Sequence, residues 1–350
     1  MKNIKTLPCV KALPGIALSL AIAVLALWLE SLLPIHIVGA SVIAMFIGMT
    51  LNSFLKKTEV FNSGAKFTSK KILKFAIILL GLSLNINTIF EVGKMSLLVM
   101  VFTLLTCFGG GYLVGRALRL NWKLSNLISA GTGICGGSAI AAIAPTIDAD
   151  NNDVAYAMSA TFLFDMAMIL LFPIMGRALG MTDVAFGLWA GTAVNDTSSV
   201  VATGYAFSEA AGDFATMVKL TRTLSIIPTV LVFAFINLSL KRKEAKRNGL
   251  DESAMKANFS IKKIFPWFIA IFVLMSAVAS IFTISPSVLV HTKSASKFLM
   301  VAALAAIGLN TSFSSMKKSG IRPMIHGFII SALVVIVALV VEIAMGLVAF

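Results

Sequence analysis

Asn195 and Asp196 stand in the middle of an apolar stretch, Leu188 to Tyr205, with Thr192, Thr197, Ser198 and Ser199 beside them. A carboxylate at membrane depth is costly and by default functional, so Asp196 is a candidate for binding a proton or Na⁺, or for pairing with a base. A second carboxylate, Asp165, sits among large apolar residues in SATFLFDMAMILLF. It is read as a coupling group or as a partner of the nearby cations. Those cations are Lys219 and Arg222 in MVKLTRTLSIIP, three residues apart and hence on one helix face. With Thr221 or Thr223 they suit an oxyanion clamp, because a guanidinium offers a bidentate fork. The alternative is that they snorkel or neutralise Asp196 and Asp165, and the roles can coexist.

The stretch GTGICGGSAIAA adds backbone chemistry. Gly131, Gly133, Gly136 and Gly137 fall within seven residues. Each costs a helix about 1 kcal/mol, so an unwound segment is expected, with a small-residue packing face as the alternative. N–H groups near Gly136, Gly137 and Ser138, with the Thr132 hydroxyl, would then face an anion. Asn310, Thr311 and Ser312 read as lining the same cavity or as capping a helix, and the cavity is favoured for Asn310. Asn85 and Asn87 read as cavity or cap residues, and Glu342 as interfacial or packing. His36, His291 and His326 read as interfacial. The cysteines Cys9, Cys107 and Cys135 form no metal or disulfide pattern. No nucleophile–base pair, phosphate loop or cofactor motif is present, so neither an enzyme nor a cofactor or metal is expected.

These residues need helices to carry them. Of 350 residues, 58% are hydrophobic and 13% charged, and mean hydropathy is +0.95. Apolar runs recur throughout, which implies an all-α polytopic membrane protein. Eleven spans are expected, near 13–33, 34–53, 71–90, 95–117, 124–144, 154–176, 183–205, 214–238, 265–284, 296–313 and 323–349. The first resembles a signal peptide but is read as uncleaved. The net charge of +14 falls between apolar runs, which argues for cytoplasmic loops rather than nucleic acid. With the N-terminus inside, the basic residues gather on one side, including the connector 239–264 and Lys317, Lys318 and Arg322. The acidic residues of DADNND, with Glu209 and Asp213, fall outside. Arg177 falls inside, and Lys293 and Lys297 are the main exceptions to the pattern.

An odd count allows an accessory span (1–33) and two inverted five-span repeats (34–180 and 181–350). SAGTGICGGSAIAA and WAGTAVNDTSSVVA echo one another, aligning Gly131 with Gly191, Thr132 with Thr192 and Ser138 with Ser198. Both segments are expected to run in the same direction.

GTGICGGSAIAA, AGTAVNDTSSVVATGY and VKLTR with the following Pro228 together resemble the sulfate exporter family of YeiH-type bacterial inner-membrane proteins, over residues 13–350. That family is grouped with the cation/proton antiporters and anion transporters. The resemblance implies a core domain of broken, crossed helices and a scaffold domain. It also implies a histidine where this chain has Asn195, so a proton role for that histidine is absent here. The expected function is secondary transport of a small inorganic or organic anion, such as sulfate, across the bacterial inner membrane. Lys219, Arg222, Thr132, Gly136, Gly137, Ser138, Asn195, Thr197, Ser198 and Asn310 would meet substrate, and Asp196 and Asp165 would couple H⁺ or Na⁺. The other partners are the lipid bilayer and a second copy in a homodimer, with no nucleic acid. The rivals are a cation/proton antiporter, and a channel or receptor.

Overall fold

The computed structural model describes residues 8–32, 40–54, 59–247, 267–282, 284–311 and 320–347. The connector beyond residue 247, His36, Ser312 and the basic residues Lys2, Lys5, Lys56, Lys57, Lys317 and Lys318 lie outside them. Helix makes up 89% of the structure and no strand occurs among the described residues. Backbone polar groups are therefore satisfied within helices, as an apolar surrounding requires.

The chain begins with α1 (Pro8–Leu32), α2 (Ala40–Phe54) and α3 (Glu59–Phe67). A π-helical turn, Thr68–Ile72, carries α3 into α4 (Leu73–Gly81), and a second, Thr106–Gly110, joins α5 (Ile86–Leu105) to α6 (Gly111–Ala117). There follow α7 (Trp122–Ala130), α8 (Gly137–Ile143), α9 (Asn151–Ala178), α10 (Asp183–Ala193) and α11 (Thr197–Phe207). Then come α12 (Glu209–Leu224), α13 (Ile226–Arg247), α14 (Trp267–Ile281), α15 (Pro286–Asn310) and α16 (Ile321–Ala344). Six helical stretches among the described residues are long and apolar enough to cross a membrane, and two shorter ones are also apolar. The architecture is that of a polytopic membrane protein.

Short polar side chains set the starts. Asn121, Thr182 and Ser208 cap α7, α10 and α12 by accepting from the third residue onward. Asn85 likewise accepts from the Asn87 amide and starts α5, so a new helix begins inside the expected span 71–90.

The helices sort into two bundles. The first comprises α1–α4 with α14 and α15; the second comprises α5–α13 and α16. Glycines allow the closest approach in the first, where a Cβ on Gly48 or Gly308 would collide with the backbone of the facing helix. The bundles meet along α11, which touches α2 and α15, and where α14 meets α5. Each bundle draws helices from both halves of the chain.

Two expected spans are not crossings. The ammonium of Lys123, at the start of α7, donates to the carbonyl of Asp148 at 2.6 Å, and the Asn121 amide donates to Asp153 at 3.1 Å. A straight span would hold these ends about 30 Å apart. Instead α7 descends, turns at 131–136 and returns as α8, forming a re-entrant hairpin. The segment 183–207 does the same. Ser208 donates to Asp183 at 2.5 Å, and Phe186 stacks on Phe207 with centroids 4.0 Å apart. Arms of 7 to 11 residues span about 10–17 Å, half of an apolar layer.

The long α9 separates the mouths, so the hairpins enter from opposite faces and the echoing segments do not run in the same direction. Asp148 consequently shares a face with Lys241, to which it pairs at 2.7 Å, and Arg177 moves to the Glu209 face. Both exchange the sides expected of them.

Hydrogen bonds from Lys241 and Asn237 hold the Asp148 carboxyl below the usual carboxylate range. Its tie is therefore stabilising above about pH 4 and is lost as pH falls through the lower folded value. Asp148→Asn should melt slightly below wild type at neutral pH, and the gap should close on acidification.

Candidate functional site

The hairpin tips meet between α9, α12 and α16. In the first hairpin a wide turn, Gly131–Cys135, leads to Gly136, whose φ of 61° suits only glycine. The same glycine lets the other tip approach, because a Cβ there would lie 2.7 Å from Asp196 Oδ1. In the second hairpin α10 stops at Ala193, and Val194 and Asp196 are extended before α11 begins. The echo places Gly136 opposite Asp196 and Gly137 opposite Thr197, the first residues of α8 and α11.

Opening a helix frees carbonyls on one side of the break and N–H groups on the other. Charged side chains take up both. The Lys219 ammonium donates to the carbonyls of Ile134 (2.8 Å), Val194 (3.0 Å) and Asn195 (2.5 Å). Arg222 donates from Nε to Gly133 (2.7 Å), from Nη2 to Thr132 (2.6 Å) and from Nη1 to Val194 (3.2 Å). Asp165 accepts the N–H of Asn195 at 2.9 Å and of Asp196 at 3.0 Å. Asp196 caps α11, accepting the Ser198 N–H at 3.0 Å and the Ser198 hydroxyl. Cations thus meet the negative helix ends and carboxylates the positive one, as the helix dipole favours. Among the described residues no ion pair joins these four groups; the peptide groups of the breaks lie between them.

Lys219, Arg222 and Asp165 are buried. So are Thr132 and Asn195, which converge on Ser331 of α16. The Asn195 side-chain amide donates to the Ser331 hydroxyl at 3.3 Å, and the Thr132 hydroxyl lies 3.5 Å from it. Ser331 was not singled out from sequence, nor was Trp189, whose indole N–H reaches the Val335 carbonyl at 2.9 Å. Both help seat the second hairpin against α16. Ser138 is exposed, and Gly137, Asp196 and Thr197 are partly so. These four form a more exposed rim beside the buried charges.

Asn310 is not brought here. It ends α15 in the first bundle, where its amide donates to Ser69 Oγ at 3.3 Å and to the Ala306 carbonyl at 2.9 Å. His326 is buried rather than interfacial, with Nε2 3.0 Å from both the Ser125 hydroxyl and the Gly111 carbonyl. Glu342 is buried too. Among the described residues no cluster suits a metal ion.

The family model described as "Conserved hypothetical protein 698" matches residues 14–327. A UPF0324 membrane protein of Clostridium tetani is 55% identical over 334 residues, covering 95% of this chain and 97% of that protein. A UPF0324 membrane protein of Streptococcus pyogenes serotype M18 is 40% identical over 96% of this chain and 98% of its own length. One of Fusobacterium nucleatum is 40% identical over 90% and 92%. With the apolar helices, these relatives support a membrane location.

Proposed function

Because the chain belongs to the Conserved hypothetical protein 698 family, whose matched relatives are named as membrane proteins, we propose that it is a secondary transporter of a small anion. Sulfate and related sulfur oxyanions are the first class to screen, and the bacterial inner membrane is the proposed location. One observation carries this reading. Three ionisable groups, Lys219, Arg222 and Asp165, are buried where two re-entrant tips meet from opposite faces, beside a more exposed rim that includes the carboxylate of Asp196. Soluble cores seldom bury so many charges, and at membrane depth such groups mark a substrate path.

The anion meets the hydroxyls of Ser138 and Thr197. Lys219 spends its three protons on carbonyls, so it and Arg222 act by their positive potential through those peptides rather than by direct contact. Two cations and two carboxylates cancel, and an arriving anion leaves an uncompensated charge in low dielectric. For a singly charged oxyanion one proton on Asp196, the more exposed carboxylate, restores the balance, and a dianion such as sulfate has to bring a second proton. The hairpin-bearing bundle would move against the other to alternate access, with the Lys241 face cytoplasmic by its excess of Lys and Arg.

The test is counterflow of labelled oxyanions in proteoliposomes. Ser138→Ala combined with Thr197→Val should cut saturable flux about tenfold or more, as expected for two lost hydrogen bonds to a charged ligand. Na⁺-driven proton exchange with no anion flux would establish a cation/proton antiporter instead. Flux without counterflow would indicate a channel.

A further inference from the structure

Lys293 and Lys297 break the charge asymmetry of the sequence, and the structure gives them partners. Lys293 of α15 pairs with Glu209 at 3.0 Å and Asp213 at 2.8 Å, both on α12, and Lys297 pairs with Glu209 at 3.5 Å. Asp213 also accepts the Tyr205 hydroxyl of α11 at 2.6 Å. The two lysines stand one helical turn apart, as do the two acids, so each pair shares a helix face. The Lys293–Asp213 link is the most sheltered, the acid's side chain being 11% exposed.

The position of this cluster matters more than its strength. It joins the first bundle, through α15, to the bundle that carries both hairpins, through α12, at the mouth of the second hairpin. The ion pair at the opposite face, Lys241 with Asp148, lies wholly within the second bundle. Relative movement of the bundles must break the first cluster and leaves the second intact.

We propose that Lys293, Lys297, Glu209 and Asp213 form an ionic latch that holds the two bundles together at the Glu209 face, and that its release is the step admitting the alternate state. This rests on the transporter reading for its purpose, but its physical content is a populated closed arrangement. Exposed pairs are weak and screened by salt, which suits a latch that must open in each cycle.

The experiment places spin labels at Val184 and Ser287, exposed positions on α10 and α15 near the latch, in full-length protein in lipid nanodiscs. Distance distributions are read by pulsed electron resonance. In low salt a single short-distance population is expected. Lys293→Gln with Lys297→Gln should raise a longer-distance population roughly fivefold or more. About 1 M salt, where the screening length falls to ~3 Å, should act the same way on the unmutated latch. Lys293→Asp should also open it, and adding Asp213→Lys should close it again, which a merely unfolded variant would not do. Distributions that ignore salt and all three variants overturn the latch. Distances that respond while no variant or parent moves any anion uphold the latch and remove the transport reading.

Discussion

Lys219→Met is expected to uncouple the two hairpin tips and to lower the thermal midpoint of the purified protein by roughly 5 °C. Methionine keeps most of the length and volume of lysine, so the substitution isolates the ammonium from its packing. Three carbonyls lose a donor, namely Ile134, Val194 and Asn195. Arg222 still reaches Val194, which leaves two buried acceptors unpaired at about 1–3 kcal/mol each. The remaining charges also fall out of balance, with two carboxylates against one guanidinium. Lys219→Arg should restore little, because a planar fork cannot send three protons from one nitrogen to three carbonyls. Thr221→Ala, one turn from the tips and bonded only to its own helix through Met217, serves as the control and should melt close to wild type. A Lys219→Met protein with an unchanged midpoint would show that these carbonyls find other partners and that the cation does not join the tips.

Much of this arrangement is written locally in the chain. Four glycines around Gly131–Gly137 and the pair Asn195–Asp196 mark the places where helices open, because helix is poor there and charge is expensive. The echo between the two stretches, which lie sixty positions apart, marks corresponding places in the two tips. The return of each hairpin is not written locally. Two arms of about ten apolar residues around a polar turn have the composition of one broken span, and only the meeting of Lys123 with Asp148, or of Asp183 with Ser208, tells them apart. Each misreading reverses the sides of everything after it, and the second reverses them back. The sides expected of residues 145–182 are therefore exchanged, as the partners of Asp148 and Arg177 report. The partners of Lys219 and Arg222 were illegible for a different reason. A cation at depth suggests an anion or a carboxylate, whereas these two bind main-chain oxygens that exist as free acceptors only once the helices have opened. Ser331 gave no signal either, since a lone serine in an apolar helix ordinarily bonds its own backbone.

Asp196→Asn should leave the fold intact and abolish the response of anion flux to a proton gradient. Asparagine is isosteric and caps a helix as well as aspartate does, so α11 keeps its start and the Ser198 N–H keeps its acceptor. What disappears is the group able to take up a proton at the rim. In the parent, a singly charged anion enters a charge set that sums to zero and must bring one proton, so each unit of pH gradient should drive roughly tenfold accumulation. In the variant one negative charge is already gone. The anion restores the sum by itself, and accumulation should follow membrane potential instead of pH. Counterflow at zero gradient should survive, because exchange moves no net charge and needs no proton. Asp165→Asn is the informative contrast. Asp165 uses both oxygens on the amides of Asn195 and Asp196, and a side-chain amide would set an N–H donor against one of them. That variant should lose stability as well as transport, so its defect would not separate coupling from assembly. Proton-driven accumulation persisting in Asp196→Asn would move the coupling site elsewhere and leave Asp196 as a helix cap alone.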